Sequence, residues 1–73
     1  MLTVCALYKF ARLDDFEKIQ EPLKRFMQSL DIKGTVLLAR EGINGTISGE
    51  EESIIKVLDY LRLDQRLNNL EHK

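Results

Sequence analysis

The sequence predicts an α+β domain, and three patterns carry this prediction. Apolar residues alternate in residues 2–10, two further short segments read as strands, and apolar residues recur with helical spacing in two others. These segments follow one another as strand, helix, strand, strand, helix. All four glycines gather around the hairpin between the second and third strands. The length of 73 residues suits one folded domain. The composition, 44% hydrophobic and 32% charged, is too apolar for a disordered chain.

The first predicted strand runs from Leu2 to Phe10 and has one strongly apolar face. Alternation places its residues in two sets. The more apolar set contains Leu2, Val4, Ala6, Tyr8 and Phe10, and the other contains Thr3, Cys5, Leu7 and Lys9. We expect the more apolar set to face the core.

The first predicted helix begins near Asp14 and ends near Leu30. Its buried stripe has helical spacing and consists of Phe16, Ile19, Leu23, Phe26, Met27 and Leu30. Asp14 and Glu17 resemble a capping box at its start. Pro22 lacks the N–H that would reach the carbonyl of Lys18, so we expect a break in the helix there.

The second half of the chain predicts a hairpin followed by a helix. The second strand spans residues 33–39, the third spans residues 43–48, and Gly42 between them can adopt a positive φ. The helix starts at three glutamates, residues 50–52, where its dipole favours negative charge, and ends near Leu61. Its predicted stripe contains Ile54, Ile55, Leu58 and Leu61. Residues 62–73 are expected to form a turn and an irregular segment.

This order of elements is the split βαβ, or ferredoxin-like, arrangement without its last strand. In that arrangement the first strand is central, between the third strand and the fourth. We therefore expect the fourth strand beyond Lys73, and the first strand to have an unpaired edge in this chain. The chain is accordingly interpreted as a fragment, with residues 1–73 forming a single N-terminal domain.

Composition excludes several classes of function. The 11 basic and 12 acidic residues give a net charge of −1, unlike domains that bind nucleic acid through bulk electrostatics. One cysteine cannot form an internal disulfide, and Cys5 and His72 together provide too few ligands for a zinc site. The start of the chain does not read as a signal peptide, and no apolar run is long enough to span a membrane. We therefore expect a cytoplasmic protein with no metal and no membrane partner.

The hairpin carries the main candidates for binding. Arg40 and Glu41 stand at its tip, and Asn44, Thr46 and Ser48 alternate along one strand face. This polar row could meet a phosphate, a ribose or the backbone of another domain, or it could simply face water. The glycine spacing matches neither the dinucleotide-binding nor the P-loop pattern, so a nucleotide-binding loop is not predicted.

The segment from Gly34 to Gly49, and above all Ala-Arg-Glu-Gly-Ile-Asn-Gly-Thr, resembles the signature of the N-terminal domain of the rhodanese-related tRNA uridine hydroxylases. The resemblance extends to residues 6–10, to Glu21-Pro22-Leu23, and to residues 59–62 and 70–73. It implies a ferredoxin-like domain that precedes a rhodanese domain. In that family the rhodanese domain carries the catalytic cysteine, and the whole protein converts a uridine of the tRNA anticodon to 5-hydroxyuridine with molecular oxygen.

By this resemblance the chain holds no catalytic residue and needs no cofactor of its own. Cys5 lies in the middle of a strand, where packing explains it better than nucleophilic chemistry. Helix capping explains the paired carboxylates. Acylphosphatase shares the fold, but residues 11–14 lack its glycine-rich phosphate cradle, so Arg12 with Asn44 does not predict that activity.

The resulting hypothesis is a non-catalytic module that packs on its own rhodanese domain and assists tRNA binding. The sheet face away from the core, expected to combine Cys5 and Leu7 with Lys33, Asn44 and Thr46, would suit a domain interface. The candidate binding residues are Lys9, Arg12, Lys33, Arg40, Glu41, Asn44 and Thr46. The alternative is a structural or small-ligand-binding ferredoxin-like module that does not touch RNA.

Overall fold

A computed structural model describes residues 2–72. The strands are β1 (Leu2–Phe10), β2 (Lys33–Ala39), β3 (Gly42–Glu50) and β4 (Glu71–His72), and the helices are α1 (Phe16–Ser29) and α2 (Glu51–Arg62). The strands form one antiparallel sheet in the order β2-β3-β1-β4. The predicted ferredoxin-like α+β fold is therefore confirmed. Within residues 2–72, neither helix has the length and apolar character needed to cross a membrane.

The fourth strand begins earlier than predicted. Glu71 and His72 pair with Tyr8 and Leu7, so β4 lies beside β1, where the fold requires it. The segment before it is more ordered than expected, because residues 65–67 form a 3-10 turn and the Asp64 carboxylate accepts a hydrogen bond from the N–H of Arg66. Leu67 and Leu70 are buried, which explains why this segment packs although its helix propensity is low.

The expectation about the two faces of β1 was wrong. Cys5 and Leu7 are each only 2% exposed and belong to the core. The register aligns Cys5 with Ile47 and Lys9 with Ile43, so the odd-numbered residues of β1 share a face with the large apolar residues of β3. Because β3 has no large apolar side chain on its other face, the helices must cover the face that carries these isoleucines. The even-numbered set of β1 is left on the open face.

Two expectations about α1 were also wrong. The helix continues through Pro22 without a break. Pro22 is exposed, so water can bind the carbonyl of Lys18 that has lost its partner. The capping box does not form, because Asp15 occupies the N-cap position and makes no side-chain cap bond. Asp14 instead accepts a hydrogen bond from Arg12 Nε at 3.1 Å.

The core lies between the sheet and the helices. Helix α2 buries Ile54, Val57, Leu58 and Leu61, whereas Ile55, which was predicted to be in this stripe, is 50% exposed. From α1 only Leu23 is fully buried, and the rest of its apolar stripe packs against the core while partly buried. The rings of Phe26 and Tyr60 stack at 4.6 Å and join the two helices. The buried residues are Cys5, Leu7, Leu13, Leu23, Ile32, Ile43, Ile47, Ile54, Val57, Leu58, Leu61, Leu67 and Leu70.

Candidate functional site

The tip of the hairpin is fixed to the rest of the domain. Arg40 and Glu41 form the loop between Ala39 and Gly42, which pair with each other. The carbonyls of Glu41 and Arg40 accept hydrogen bonds from the N–H groups of Ala11, at 3.0 Å, and Leu13, at 2.9 Å. These bonds hold the β1–α1 connection against the hairpin tip, so the most glycine-rich segment forms a rigid corner of the domain.

Two glycines explain how the hairpin achieves this geometry. Gly42 has a φ of 145°, and a Cβ atom placed on it would overlap the carbonyl oxygen of Lys9 on the neighbouring strand. At Gly45 the backbones of β3 and β2 approach closely, because a Cβ atom there would overlap the carbonyl oxygen of Thr35.

The candidate cations fall into two groups. Lys9, Arg12 and Arg40 lie at the end of the sheet that carries the hairpin tip, whereas Lys33 lies at the other end of β2. Lys33 and Ala39 are six steps apart along the strand, a distance of about 20 Å. Lys33 Nζ pairs with Asp31 at 3.3 Å, and Arg12 pairs with Asp14. Within residues 2–72, the Arg40 side chain makes no hydrogen bond or ion pair.

The polar candidates lie on the open face of the sheet, as predicted for Asn44 and Thr46. Asn44 stands between Tyr8 of β1 and Leu37 of β2, and Thr46 stands between Ala6 and Thr35. In the described part of the chain, the Asn44 amide makes no side-chain hydrogen bond and is exposed. Glu41 lies beside them at the hairpin tip.

The sequence did not predict the main feature of this face, which is a group of large exposed apolar side chains. We call it the open-face patch and define it by Leu2, Val4, Tyr8, Phe10 and Leu37. Phe10 is 83% exposed and Leu37 is 60% exposed. The alternation of Ile43, Asn44, Thr46 and Ile47 in β3 was the signal that could have located the patch, since it fixes which face the helices cover.

A trough crosses the open-face patch near the hairpin tip. Two rows of side chains run across the three strands here. One row is Tyr8, Asn44 and Leu37, and the next is Phe10, Gly42 and Ala39. Because Gly42 has no side chain, the second row has a gap in its middle. The trough has a volume of about 160 Å³.

The hydroxyl of Tyr8, on the β4 side of the patch, donates a hydrogen bond to the carboxylate of Glu71. This hydrogen bond, together with the negative charge of Glu71, raises the pKa of the Tyr8 phenol. The contact holds the Tyr8 ring in place and leaves its face on the open side of the sheet.

Within residues 2–72, the Cys5 thiol makes no hydrogen bond to a histidine or to an acidic side chain. Burial raises the pKa of the Cys5 thiol, and the charge of Arg62 offsets this only in part. Arg62 donates to the carbonyl of Leu70 at 3.0 Å and lies 3.1 Å from Nδ1 of His72. Among residues 2–72, no group of three or more histidine, cysteine or acidic side chains is arranged to hold a metal ion.

Comparison with known proteins identifies the family. The family model described as the UPF0176 acylphosphatase-like domain matches residues 2–73. The chain belongs to this family. The word acylphosphatase describes the likeness of the fold. Arg12 and Asn44, the two residues compared with that activity, make no hydrogen bond to each other within residues 2–72. Arg12 bonds to Asp14 in the β1–α1 connection, whereas Asn44 faces the open side of the sheet.

A solved structure shows the same fold in a different setting. All of the UPF0176 domain superposes on part of a bacterial light-regulated adenylyl cyclase with a TM-score of 0.73 and 19% sequence identity. The domain spans 23% of the length of that chain. At this identity the likeness concerns the fold alone.

Proposed function

We propose that this chain is the non-catalytic N-terminal module of a rhodanese-domain enzyme that forms 5-hydroxyuridine in the tRNA anticodon. In this proposal the module packs on the enzyme's own rhodanese domain and assists tRNA binding. The enzyme acts in the cytoplasm, and the oxygen chemistry belongs to the rhodanese domain. The module supplies surfaces and contributes no reacting group.

The open-face patch is the single observation that carries the proposal. Its five large apolar side chains are all at least 42% exposed, and an apolar surface of this kind typically marks an interaction site. The signature hairpin borders the patch and places Arg40 and Arg12 on the same rigid corner. Arginine side chains at such a corner suit contact with phosphates, which positions an RNA without reading its sequence.

The test uses the intact natural protein that carries this domain. Arg40→Ala should weaken tRNA binding and lower the slope of log affinity against log salt by about 0.7 to 0.9, as expected for one lost phosphate contact. Arg25→Ala is the matched control, because Arg25 is an exposed cation on α1 and should leave the slope unchanged. If both variants bind tRNA with the same affinity and salt slope as the natural protein, the RNA part of the proposal is refuted.

The enzymatic part of the proposal needs its own measurement. Cells that lack the gene should lose 5-hydroxyuridine from their tRNA, and the natural gene should restore it. Mass spectrometry of digested tRNA measures this modification directly. Unchanged 5-hydroxyuridine in the deletion strain would refute the proposed reaction.

A second candidate function is a structural or small-ligand-binding module that makes no contact with RNA. The net charge of −1 favours it, because domains that bind nucleic acid through bulk electrostatics usually carry a basic excess. Chemical-shift changes at residues 40–48 distinguish the two functions. Addition of tRNA should shift these resonances under the first function, whereas only the separated rhodanese domain should shift them under the second.

A further inference from the structure

We infer that the free edge of β2 is an interface with a second copy of this chain. The two copies of β2 pair antiparallel, so that two four-stranded sheets form one sheet of eight strands. The inference goes beyond the proposed function and does not rest on it, because the interface uses the backbone at the side of the sheet and leaves the open-face patch uncovered. Three features support it: the open edge, the self-complementary sequence of the strand and the groove beside it.

The edge of β2 is long, regular and unprotected. The strand has seven residues and pairs on one side with β3, in a register without a bulge. Within residues 2–72, no other strand or loop makes a backbone hydrogen bond to its second side. Proteins usually protect such an edge with proline, with charged residues or with a bulge, and after Lys33 the strand has none of these. The opposite edge of the sheet, β4, is only two residues long.

The hairpin shows which backbone groups are free on this edge. Ala39 and Gly42 close a two-residue loop, so the N–H and C=O groups of Ala39 bond to β3. The direction of these groups alternates along an antiparallel strand. The groups of Gly34, Val36 and Leu38 therefore point away from β3, and within residues 2–72 they have no backbone partner.

A second copy of β2 is complementary to this edge. With the two-fold axis at Val36, Val36 pairs with its own counterpart, and Gly34 pairs with Leu38 of the second copy, so every free group on the strand finds a partner. Gly34 has no side chain, which leaves room for that Leu38 on the face that the helices cover. Lys33 then lies beside the hairpin tip of the second copy, where Glu41 supplies the opposite charge. This match in shape and charge selects a second copy over an unrelated strand.

A groove runs beside the edge and adds apolar contact to the backbone hydrogen bonds. It lies between α1 and β2, has a volume of about 240 Å³, and its lining includes Leu23, Met27, Val36 and Leu38. Val36 and Leu38 are only partly buried in one copy. Pairing about the axis at Val36 places the grooves of the two copies side by side, so these side chains cover one another. Strand addition at an edge gains its affinity in this way, from the main chain and from pockets for alternate side chains.

Concentration-dependent amide exchange of the full chain tests the interface. The chain is measured at about 10 μM and at about 1 mM, a range that covers weak association. Exchange at Val36 and Leu38 should slow by at least about fivefold at the higher concentration, whereas Thr35 and Leu37, whose N–H groups bond to β3, should be protected at both. The mass from sedimentation should rise from that of one chain towards that of two. A constant mass, or exchange at Val36 that does not depend on concentration, overturns the inference.

Exchanging the charges at the two ends of the interface tests the identity of the partner. Lys33→Glu places like charges together at both ends, and so does Glu41→Lys, so each variant alone should dimerise about tenfold more weakly. An equimolar mixture of the two variants restores opposite charges at both ends and should regain the natural affinity. Both positions are exposed, so the fold should tolerate either substitution.

Lys56→Glu is the matched control, because Lys56 is an exposed cation on α2 and its replacement changes the net charge by the same amount as Lys33→Glu. This control should alter the dimerisation affinity less than about twofold. If Lys33→Glu and Glu41→Lys dimerise as well as the natural chain, the antiparallel register is wrong. If the mixture stays as weak as either variant alone, the edge does not pair with a second copy, and a strand of another protein becomes the candidate for it.

Discussion

Replacement of Leu7 by alanine should be far more destabilising than the same replacement at Leu2, although both residues lie on β1. Leu7 is 2% exposed, and removal of a buried leucine side chain costs about 2 to 5 kcal/mol, because transfer energy is lost and a cavity remains. Leu2 is 74% exposed, so its replacement should cost less than about 1 kcal/mol. The comparison tests directly which face of β1 the helices cover.

The size of the loss sets the design of the experiment. A chain of 73 residues is expected to have a free energy of unfolding of about 4 to 11 kcal/mol. Leu7→Ala could therefore remove most of the stability. Ile47→Val, at a core position opposite Cys5, provides a milder core variant, with an expected loss of about 0.5 to 1.5 kcal/mol.

The assay is urea unfolding followed by far-UV circular dichroism, with the same slope fitted to all variants. Leu7→Ala and Ile47→Val should lower the midpoint, and Leu2→Ala should leave it almost unchanged. A larger loss for Leu2→Ala than for Leu7→Ala would show that the even-numbered face of β1 is the buried one, and would refute the assignment of the open-face patch.

Three further predictions concern the backbone and the ionisable groups. Gly45→Ala should lower the free energy of unfolding by about 1 to 3 kcal/mol, because the new Cβ atom has no space against β2. A urea midpoint equal to that of the natural chain would contradict the close approach of the two backbones. Arg66 forms ion pairs with Asp15 and Asp64 and lowers the pKa of both carboxyls in the folded state. These pairs therefore stabilise the fold above the usual carboxyl pKa, and their contribution is lost as the pH falls through the lowered pKa values. Arg66→Met should therefore be less stable than the natural chain at pH 7, with a difference that narrows in acid urea titrations and not in alkaline ones. Glu71→Gln should bring the raised pKa of the Tyr8 phenol back towards its ordinary value. The ring resonances of Tyr8 during an alkaline NMR titration measure this pKa. A titration unchanged by the substitution would exclude the contact with Glu71.

Much of the local structure could be predicted because it depends on neighbouring residues. The bounds of β1 and β2 were predicted from short runs rich in aliphatic and β-branched residues, and both agree with the structure. The hairpin was predictable because only glycine tolerates the φ of Gly42. The break at Pro22 was predicted from the lost hydrogen bond alone, whereas the exposed side of the helix lets water replace that bond.

The candidate site was predicted only in part, because it is assembled across strands. Arg40, Asn44 and Thr46 were identified from the hairpin itself. Phe10 and Leu37 were missed, since their exposure depends on which face of the sheet the helices cover. The bond between Tyr8 and Glu71 joins residues that are 63 positions apart, so no local pattern could reveal it.

The sequence by itself determined the order of elements, the hairpin and the ferredoxin-like arrangement, because each follows from periodicity and from glycine placement over short stretches. Only the tertiary structure decided which face of β1 is buried. Both faces of that strand are apolar, so alternation cannot choose between them. The pairing of Cys5 with Ile47 and Lys9 with Ile43 made the choice, because it aligns one face of β1 with the isoleucines that the helices must cover. That choice exposes Phe10 and creates the surface on which the proposed function depends.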